Sequence, residues 1–270
     1  MLYVITAVHN RKNITQQFID QLLSQTYNQI QLVLVDDGST DGTKEMVQEK
    51  MPDAVVLCGN GKLWWGGAMS LAYNWVKNNC SDENYVLIAN DDIRFDDSFV
   101  ERAMKILSCH QNVLLTGCGY SEDGCRVDGA FIINYPSAAS KLVLDNTRKN
   151  YGNCATTHCL FAKLSDYLKI GPFHPILLPH YGSDFEWTIR GCRKLGLRVL
   201  CEEDLKYSIG KTTKGYKGDY RIKNILSKRS MQNPFYKLNF IALSAPRGLK
   251  TKSIKEQIVR FWEHKSDLSI

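Results

Sequence analysis

A layered α/β fold, with a central, mostly parallel mixed sheet flanked by helices, follows from three features of the 270-residue sequence. Short apolar runs alternate with helical patterns through the first half of the chain, which marks βαβ units. Three of those runs end abruptly in polar clusters, Ala7–Arg11, Asp36-Asp37 and Asn90–Asp92. Ligands of such sheets sit outside the carboxyl ends of the strands. One such ending is an ordinary surface turn; three in succession outline a crevice.

Taken in order, Leu2–Val8 is a β-rich run that stops at His9-Asn10-Arg11. The stretch ITQQFIDQLLSQTY places Ile14, Phe18, Leu22 and Tyr27 at roughly helical spacing, which predicts a helix with those residues inward. Leu32–Val35 is the second strand, and Asp41 is placed to cap a helix that Pro52 stops. Ala54–Cys58 is a third strand. Gly59–Gly67 is a loop rich in Gly and Trp, followed by a helix from about Ala68 to Asn78 and the strand Tyr85–Ala89. Further strands fall between Val113 and Ile133, with a turn near Asp123-Gly124. NCATTHCLFAK reads as a strand, LSDYLKIGPF as a short helix ended by Gly171-Pro172, and HYGSDFEWTIRGCRKLG as a helix that stops at Gly196. Leu197–Cys201 is a late strand.

Hydrophobic content of 44% and charged content of 23% are those of a globular chain, long enough for one large domain or one domain with an appendage. No apolar run reaches the roughly 18 residues a spanning helix needs. The N-terminus MLYVITAVHN lacks a basic flank and a cleavage site, so it reads as a strand and not a signal peptide. A cytoplasmic location is the expectation. Nine cysteines, an odd number without a C-x-x-C pair, speak against a disulfide framework or a zinc knuckle and for reduced, mostly buried thiols. Charge is uneven: from Lys206 onward there are 15 Lys/Arg against 4 Asp/Glu, and before it 19 against 24. An acidic body thus carries a basic tail. Within it, Ile254, Ile258, Phe261 and Trp262 form an amphipathic pattern with basic neighbours. That pattern suits docking on an anionic membrane face, and equally packing on the body or on a second copy. No nucleic-acid module is recognisable.

The chemistry-bearing clusters come next. Asn90-Asp91-Asp92 ends an apolar strand, and hard cations such as Mn²⁺ or Mg²⁺ take carboxylate and phosphate oxygens. No phosphate-cradling loop competes: Gly210-Lys211-Thr212 would need Gly at 205, where Leu205 stands. A diphosphate would therefore be held by a cation or by basic side chains. Ser183 to Glu186 reads as a capping box, and Glu186 stands four residues before Arg190 in the favourable order for an ion pair. Asp184 gains from the helix dipole and is also a candidate base. Trp64 and Trp65 are candidates for stacking on a sugar or base, or for packing under the loop. Gly66 and Gly67 would let backbone approach a ligand. His158 reads as a satisfied core histidine, and His180 and Tyr181 stand just ahead of Asp184.

VDDGSTDGT, LLSQTY, the Asn-Asp-Asp at a strand end and SDFEWTIR, in this order, resemble the family 2 glycosyltransferases of the GT-A fold. The resemblance covers about residues 2–210. GNGKLWWGGAMSLAYN and RIKN further resemble bacterial rhamnosyltransferase-like members, which build surface polysaccharides. It implies a catalytic domain over 1–205, with a nucleotide-binding half to about 112 and an acceptor half over 113–205, then a basic extension over 206–270. Ala7 and His9 would lie along the nucleotide base, Asp37 would bind its ring with Asp36 as partner, and Trp65 and Gly66 would line the donor. Asp92 matches the metal-binding acid, Asp91 the variable middle position, and Asn90 replaces the first Asp and is assigned to ribose or phosphate. Asp184 matches the catalytic base and Glu186 the second acid, on the acceptor side; Tyr181 is assigned to the acceptor on its position ahead of Asp184 alone. Ser183 stands where members often have Glu. Members often carry a His after the late strand; LKYSIGKTTKG has none, and Lys211 or Lys214 is assigned to the diphosphate instead.

The resemblance implies an inverting, Mn²⁺- or Mg²⁺-dependent transfer from a nucleotide-diphospho-sugar to a hydroxyl of a glycan or lipid-linked acceptor. The setting would be the cytoplasm or the inner membrane face, as a monomer or homodimer. A nucleotidyltransferase would open with a Gly- and Arg-rich loop, and TAVHNRKN has no glycine. A non-catalytic nucleotide- or glycan-binding assembly partner of the same fold is the alternative. Sugar, nucleotide and linkage are not readable from the residues.

Overall fold

The computed structural model describes residues 1–144, 149–210, 226–227, 230 and 233–265, without the side chains of 149 and 260–265. The chain runs β1 (Leu2–Val8), α1 (Lys12–Leu23), β2 (Ile30–Asp36), α2 (Thr43–Lys50), β3 (Val55–Cys58), α3 (Trp64–Asn79), β4 (Tyr85–Ala89), β5 (Ile93–Arg94) and α4 (Phe99–Cys109). It continues through β6 (Val113–Tyr120), β7 (Arg126–Asp128), β8 (Ala130–Asn134), β9 (Ala139–Leu142), β10 (Lys149–Gly152), β11 (Cys154–Ala155) and β12 (Cys159–Lys163). Then come α5 (Leu164–Ile170), α6 (Ser183–Leu195), β13 (Arg198–Ile209), α7 (Pro234–Ser244) and α8 (Lys250–Lys265).

The main sheet has the order β10-β13-β6-β12-β4-β1-β2-β3, with β5 and β7 paired at its margin. β1 is parallel to both β2 and β4, whereas β12 runs antiparallel to β4 and β6. Side chains alternate across the strands and make two cores. Leu32, Leu34 and Leu87 meet Phe18 and Ile19 of α1, Met46 of α2 and Phe99 of α4 on one face. Val33, Val35 and Ile88 meet Met69 of α3, Tyr167 of α5 and Trp187 of α6 on the other. Since α1 and α3 cover opposite faces, the chain leaves β1 toward one side and enters β4 from the other. The gap between the carboxyl ends of β1 and β4 is therefore the topological switch point, where open sheets hold ligands.

Several elements differ from the sequence-based expectation. α1 buries Thr15, Phe18, Ile19 and Leu22, so Ile14 faces out at 37% exposure and Tyr27 lies beyond the helix. α4 carries Phe99, Val100, Ala103 and Leu107 inward, a clear helical period that the sequence reading passed over. α3 begins at Trp64, not near Ala68. β13 continues to Ile209 after a register shift between Glu202 and Lys206, so its strand crosses the boundary drawn at 205. Three cysteines, Cys58, Cys109 and Cys125, are exposed and four are buried, all nine being free thiols.

The described part of the basic extension folds back on the body. Arg193 of α6 donates to the carbonyls of Ser244 (2.7 Å) and Ala245 (3.1 Å), and Asn239 of α7 to the Leu177 carbonyl (3.0 Å). Packing on the body is thus the arrangement seen for α7. Ile258 and Val259 of α8 are exposed, and the Phe261 and Trp262 side chains lie outside the described set. Among the described residues no helix is long and apolar enough to cross a membrane.

Candidate active site

The end of β2 builds the first wall. Asp36 accepts the Ser39 N–H (2.8 Å), which closes the turn of DGST. The Asp37 N–H donates to the Val8 carbonyl (2.9 Å) and ties the loop to β1. Its carboxylate accepts the N–H groups of Gly61 (2.8 Å), Leu63 (2.9 Å) and Trp64 (3.3 Å). Asp37 therefore organises the entry to α3, where amide groups lack helical partners. The approach needs a glycine: a Cβ at Gly59 would stand 2.4 Å from Asp37 Oδ1. His9 Nδ1 lies 2.6 Å from the Asp37 carbonyl, and Ala7 sits beside Val35 in the β1–β2 ladder. Ala7, His9, Asp36 and Asp37 are thus brought together at one strand end.

Asp41 works for two helices. It accepts the Lys12 N–H at the start of α1 (3.0 Å) and the Thr43 N–H at the start of α2 (3.1 Å). The residue at the N-cap position of α2 is Gly42, in left-handed conformation, and not Asp41 as expected.

The end of β4 builds the second wall. Asp91 is 2% exposed and takes the Thr15 hydroxyl (2.8 Å) and Arg11 Nη2 (3.0 Å). Burial outweighs both partners and pushes its carboxyl up to about 6. The same Arg11 Nη2 donates to Asp92 Oδ2 (3.0 Å), so one guanidinium spans the switch point from β1 to β4. Asp92 Oδ1 is buried and has no hydrogen-bond partner among the described residues. Among the described residues no three His, Cys, Asp or Glu side chains converge on one point. Mg²⁺ and Mn²⁺ also bind through one or two carboxylates plus phosphate oxygens, and the orphaned Oδ1 of Asp92 fits that role.

The third wall is the start of α6. Ser183 is already helical, with Gly182 at the N-cap in left-handed conformation, and its hydroxyl donates to the His180 carbonyl (2.6 Å). The expected capping box is therefore absent. Asp184 Oδ1 accepts the Phe185 N–H (2.8 Å). Burial holds the Asp184 carboxyl above the usual carboxylate range, against that amide and the charge of His158. Glu186 is 2% exposed, and its two oxygens accept Arg190 Nε and Nη2 at 3.0 Å each. The geometry gives Glu186 an ion pair with Arg190.

Between the second and third walls lies a group that the sequence reading left as core. His158 Nδ1 is 2.6 Å from Asp128 Oδ2. The same oxygen accepts the Thr156 hydroxyl (2.6 Å) and the Tyr207 hydroxyl (2.9 Å), while Asp128 Oδ1 accepts the Gly129 N–H (2.8 Å). Burial works to lower the His158 pKa; the hydrogen bond and charge of Asp128 outweigh it, aided by Asp184 and Asp92, and raise it to about 9.

Trp64 takes a left-handed φ of 57°, and its ring sits tilted 6.0 Å from that of His180. His180 meets the Tyr181 ring edge-on at 4.5 Å. Trp65 packs against the second core. The Gly66 N–H donates to the Pro179 carbonyl (2.9 Å), and a Cβ there would stand 2.7 Å from the Leu178 carbonyl. The close approach at Gly66 is thus to the loop before α6. Lys211 and Lys214 lie outside the described residues. Contacts link Asp37 to Trp64, and Trp64 through His180 to Tyr181; Asp184 and Asp92 both act electrostatically on His158.

Arg11, Thr15, Asp128, Thr156 and Tyr207 were missed as site residues. Arg11 had a signal, because it lies in the polar cluster that ends β1. Asp128 had none, being 30 residues from His158 and brought to it only by the β6–β7 pairing.

Comparison with solved structures gives the architecture as the GT-A fold. S. aureus TarS in complex with UDP-GlcNAc superposes with a TM-score of 0.61 at 14% identity, over 97% of this chain and 72% of that one. A mannosyltransferase of Pyrobaculum calidifontis, in complex with GDP-Man and Mn²⁺, gives 0.58 at 14% identity, over 100% and 76%. The chain belongs to glycosyl transferase family 2, whose family model matches residues 3–165. Among curated relatives, glycosyltransferase GlyA of Streptococcus pneumoniae is 31% identical over 120 residues, 44% of this chain and 16% of that protein. The matches span under half the length of the first relatives, 16% of GlyA and 44% of an uncharacterised Rickettsia typhi glycosyltransferase.

Proposed function

We propose that the protein is an inverting, metal-dependent glycosyltransferase that moves a sugar from a nucleotide-diphospho-sugar to a hydroxyl of a glycan or lipid-linked acceptor. The observation that carries this is Asp184: a half-buried residue at a helix start, its carboxyl raised by burial, which together with Asp92 acts on His158. A general base works best when its pKa approaches the operating pH. The base of the donor would lie along Ala7 and His9 by Asp37, with Asn90 toward the ribose or first phosphate. Asp92 would hold a divalent ion, which when bound neutralises charge on a departing diphosphate. Asp184 takes the proton of the acceptor hydroxyl as that oxygen attacks the anomeric carbon from the face opposite the diphosphate. Attack from that face inverts the configuration. Tyr181, three residues ahead of Asp184, is the proposed acceptor contact.

The proposed setting is the cytoplasmic face of the membrane. The exposed Ile258 and Val259 on the Lys-rich α8 support peripheral contact with an anionic surface. Donor hydrolysis in the presence of Mn²⁺ tests the catalytic reading. Asp184→Asn is expected to lower kcat by about 10²- to 10⁴-fold while nucleotide binding persists. Equal turnover by wild type and variant would remove Asp184 from the mechanism.

A further inference from the structure

The Asp128–His158 pair is built like a functional group, not a core filler. Asp128 is 1% exposed and receives four donors, three on Oδ2 and one on Oδ1. A buried carboxylate so fully satisfied stays ionised and fixes its partners. It takes Nδ1 of His158; in the protonated ring, which a pKa raised to about 9 maintains near neutral pH, Nε2 is the second donor. The only hydrogen bond of the His158 ring among the described residues is the one to Asp128, and the side chain is 29% exposed. A ring clamped at one nitrogen and open at the other is oriented toward whatever enters the recess.

Its position says what enters. The His158 carbonyl accepts the Asn90 N–H (3.0 Å), so His158 extends the β4–β12 ladder one step, to the level of Asn90. Cys159 and Phe161 of β12 point into the α1–α4 core, and Leu160 and Ala162 into the α3–α6 core. Alternation carried back one residue sets His158 on the α6 side. It stands between Asn90–Asp92 and Asp184, and both Asp92 and Asp184 act on it electrostatically. A donor's diphosphate, held at the strand end by Asp92, has to pass beside this ring.

We propose that His158, aligned by Asp128, donates its Nε2–H to a phosphate oxygen of the nucleotide-diphospho-sugar and so acts as a second diphosphate-binding residue beside Asp92. This rests on the donor-binding reading above. The donor is in place before the sugar leaves, which is what makes such an electrostatic contact effective in catalysis. The acceptor-side alternative, in which His158 only fixes Asp184, makes no contact with phosphate.

Calorimetric titration of the full chain with UDP, GDP and dTDP, and with the matching nucleosides, in the presence of Mn²⁺, separates these. The variants are His158→Gln and His158→Asn, each with its melting temperature recorded. His158→Gln is expected to weaken the bound nucleoside diphosphate by about 10- to 100-fold, as for loss of a charge-assisted hydrogen bond. Nucleoside affinity should stay at the wild-type value. His158→Asn supplies the same comparison if the Gln variant misfolds. On the wild-type chain, the His158 imidazole ¹⁵N resonance should move with the diphosphate and not with the nucleoside. Unchanged diphosphate affinity in a folded His158 variant, with no ¹⁵N shift, overturns this inference alone. A wild-type chain that binds none of the three diphosphates overturns the donor-binding reading and this one with it.

Discussion

Asp184 and Glu186, two residues apart on α6, have carboxylates committed to different surroundings. Residues at that spacing project to nearly opposite sides of a helix. Glu186 closes a bidentate pair with Arg190, whose guanidinium also reaches the carbonyls of Ile170 (3.0 Å) and Pro172 (2.9 Å). Among the described residues Asp184 takes only its neighbouring amide, and it lies within the charge field of His158. The first acid binds α6 to the end of α5; the second faces the recess.

Glu186→Gln should therefore act on stability and not on chemistry. Replacing a charged, buried acceptor costs about 1.5–3 kcal/mol, read as a lower urea midpoint at unchanged slope. Nucleotide-sugar affinity and kcat of the folded fraction should hold. A variant of full stability with impaired acceptor turnover would return Glu186 to the acceptor site.

Gly59→Ala tests the wall around Asp37. The added Cβ would meet Oδ1 and Cα of Asp37, at 2.4 and 2.9 Å, and neither the strand end nor its three amide contacts can yield freely. Overpacking of this kind costs about 1–3 kcal/mol. The melting temperature should fall, and nucleoside affinity should fall further than diphosphate-dependent binding. Wild-type affinity with wild-type melting would show that the loop tolerates the displacement and that Asp37 does not set its shape.

The Asp128–His158 pair gives stability a defined pH dependence. An unfolded histidine titrates near pH 6.5, and His158 in the fold at about 9. A raised pKa contributes stability in full below the unfolded value and loses it as pH rises through the folded one. The groups that act on the ring are Asp128, Asp184 and Asp92, all acids. Urea unfolding should thus weaken progressively between about pH 6.5 and 9 in the wild type. His158→Gln should flatten that window, and an identical slope in both proteins would contradict the pairing.

The first strands and the crevice at their carboxyl ends could be read from the sequence, because each depends on local signals: apolar runs, their polar endings and helical spacing. Ala7, His9, Asp36, Asp37 and Asn90–Asp92 are adjacent to those endings, and the structure brings them together. What could not be read depends on tertiary pairing. Asp128 meets His158 only through strand order, and Arg11 spans Asp91 and Asp92 only because β1 and β4 are neighbours. Trp65 and Gly66 look like loop residues beside Gly59 and Gly61. Asp37 draws the helix start back to Trp64 by accepting its N–H, and so places them inside α3. The capping box failed for a related reason: Gly182 adopts the left-handed conformation and takes the N-cap position one residue before Ser183.

The most direct test of the central claim is thermal denaturation of the wild type and Asp92→Asn with a panel of nucleotide sugars, each with Mn²⁺ and with chelator. At least one donor should raise the wild-type melting temperature by several degrees, as expected for ligand at about 100 times its Kd. The rise should depend on Mn²⁺ and be lost in Asp92→Asn. A donor that stabilises both proteins equally, with or without metal, would contradict the assignment of Asp92, and a panel without any stabilising donor would contradict the account as a whole.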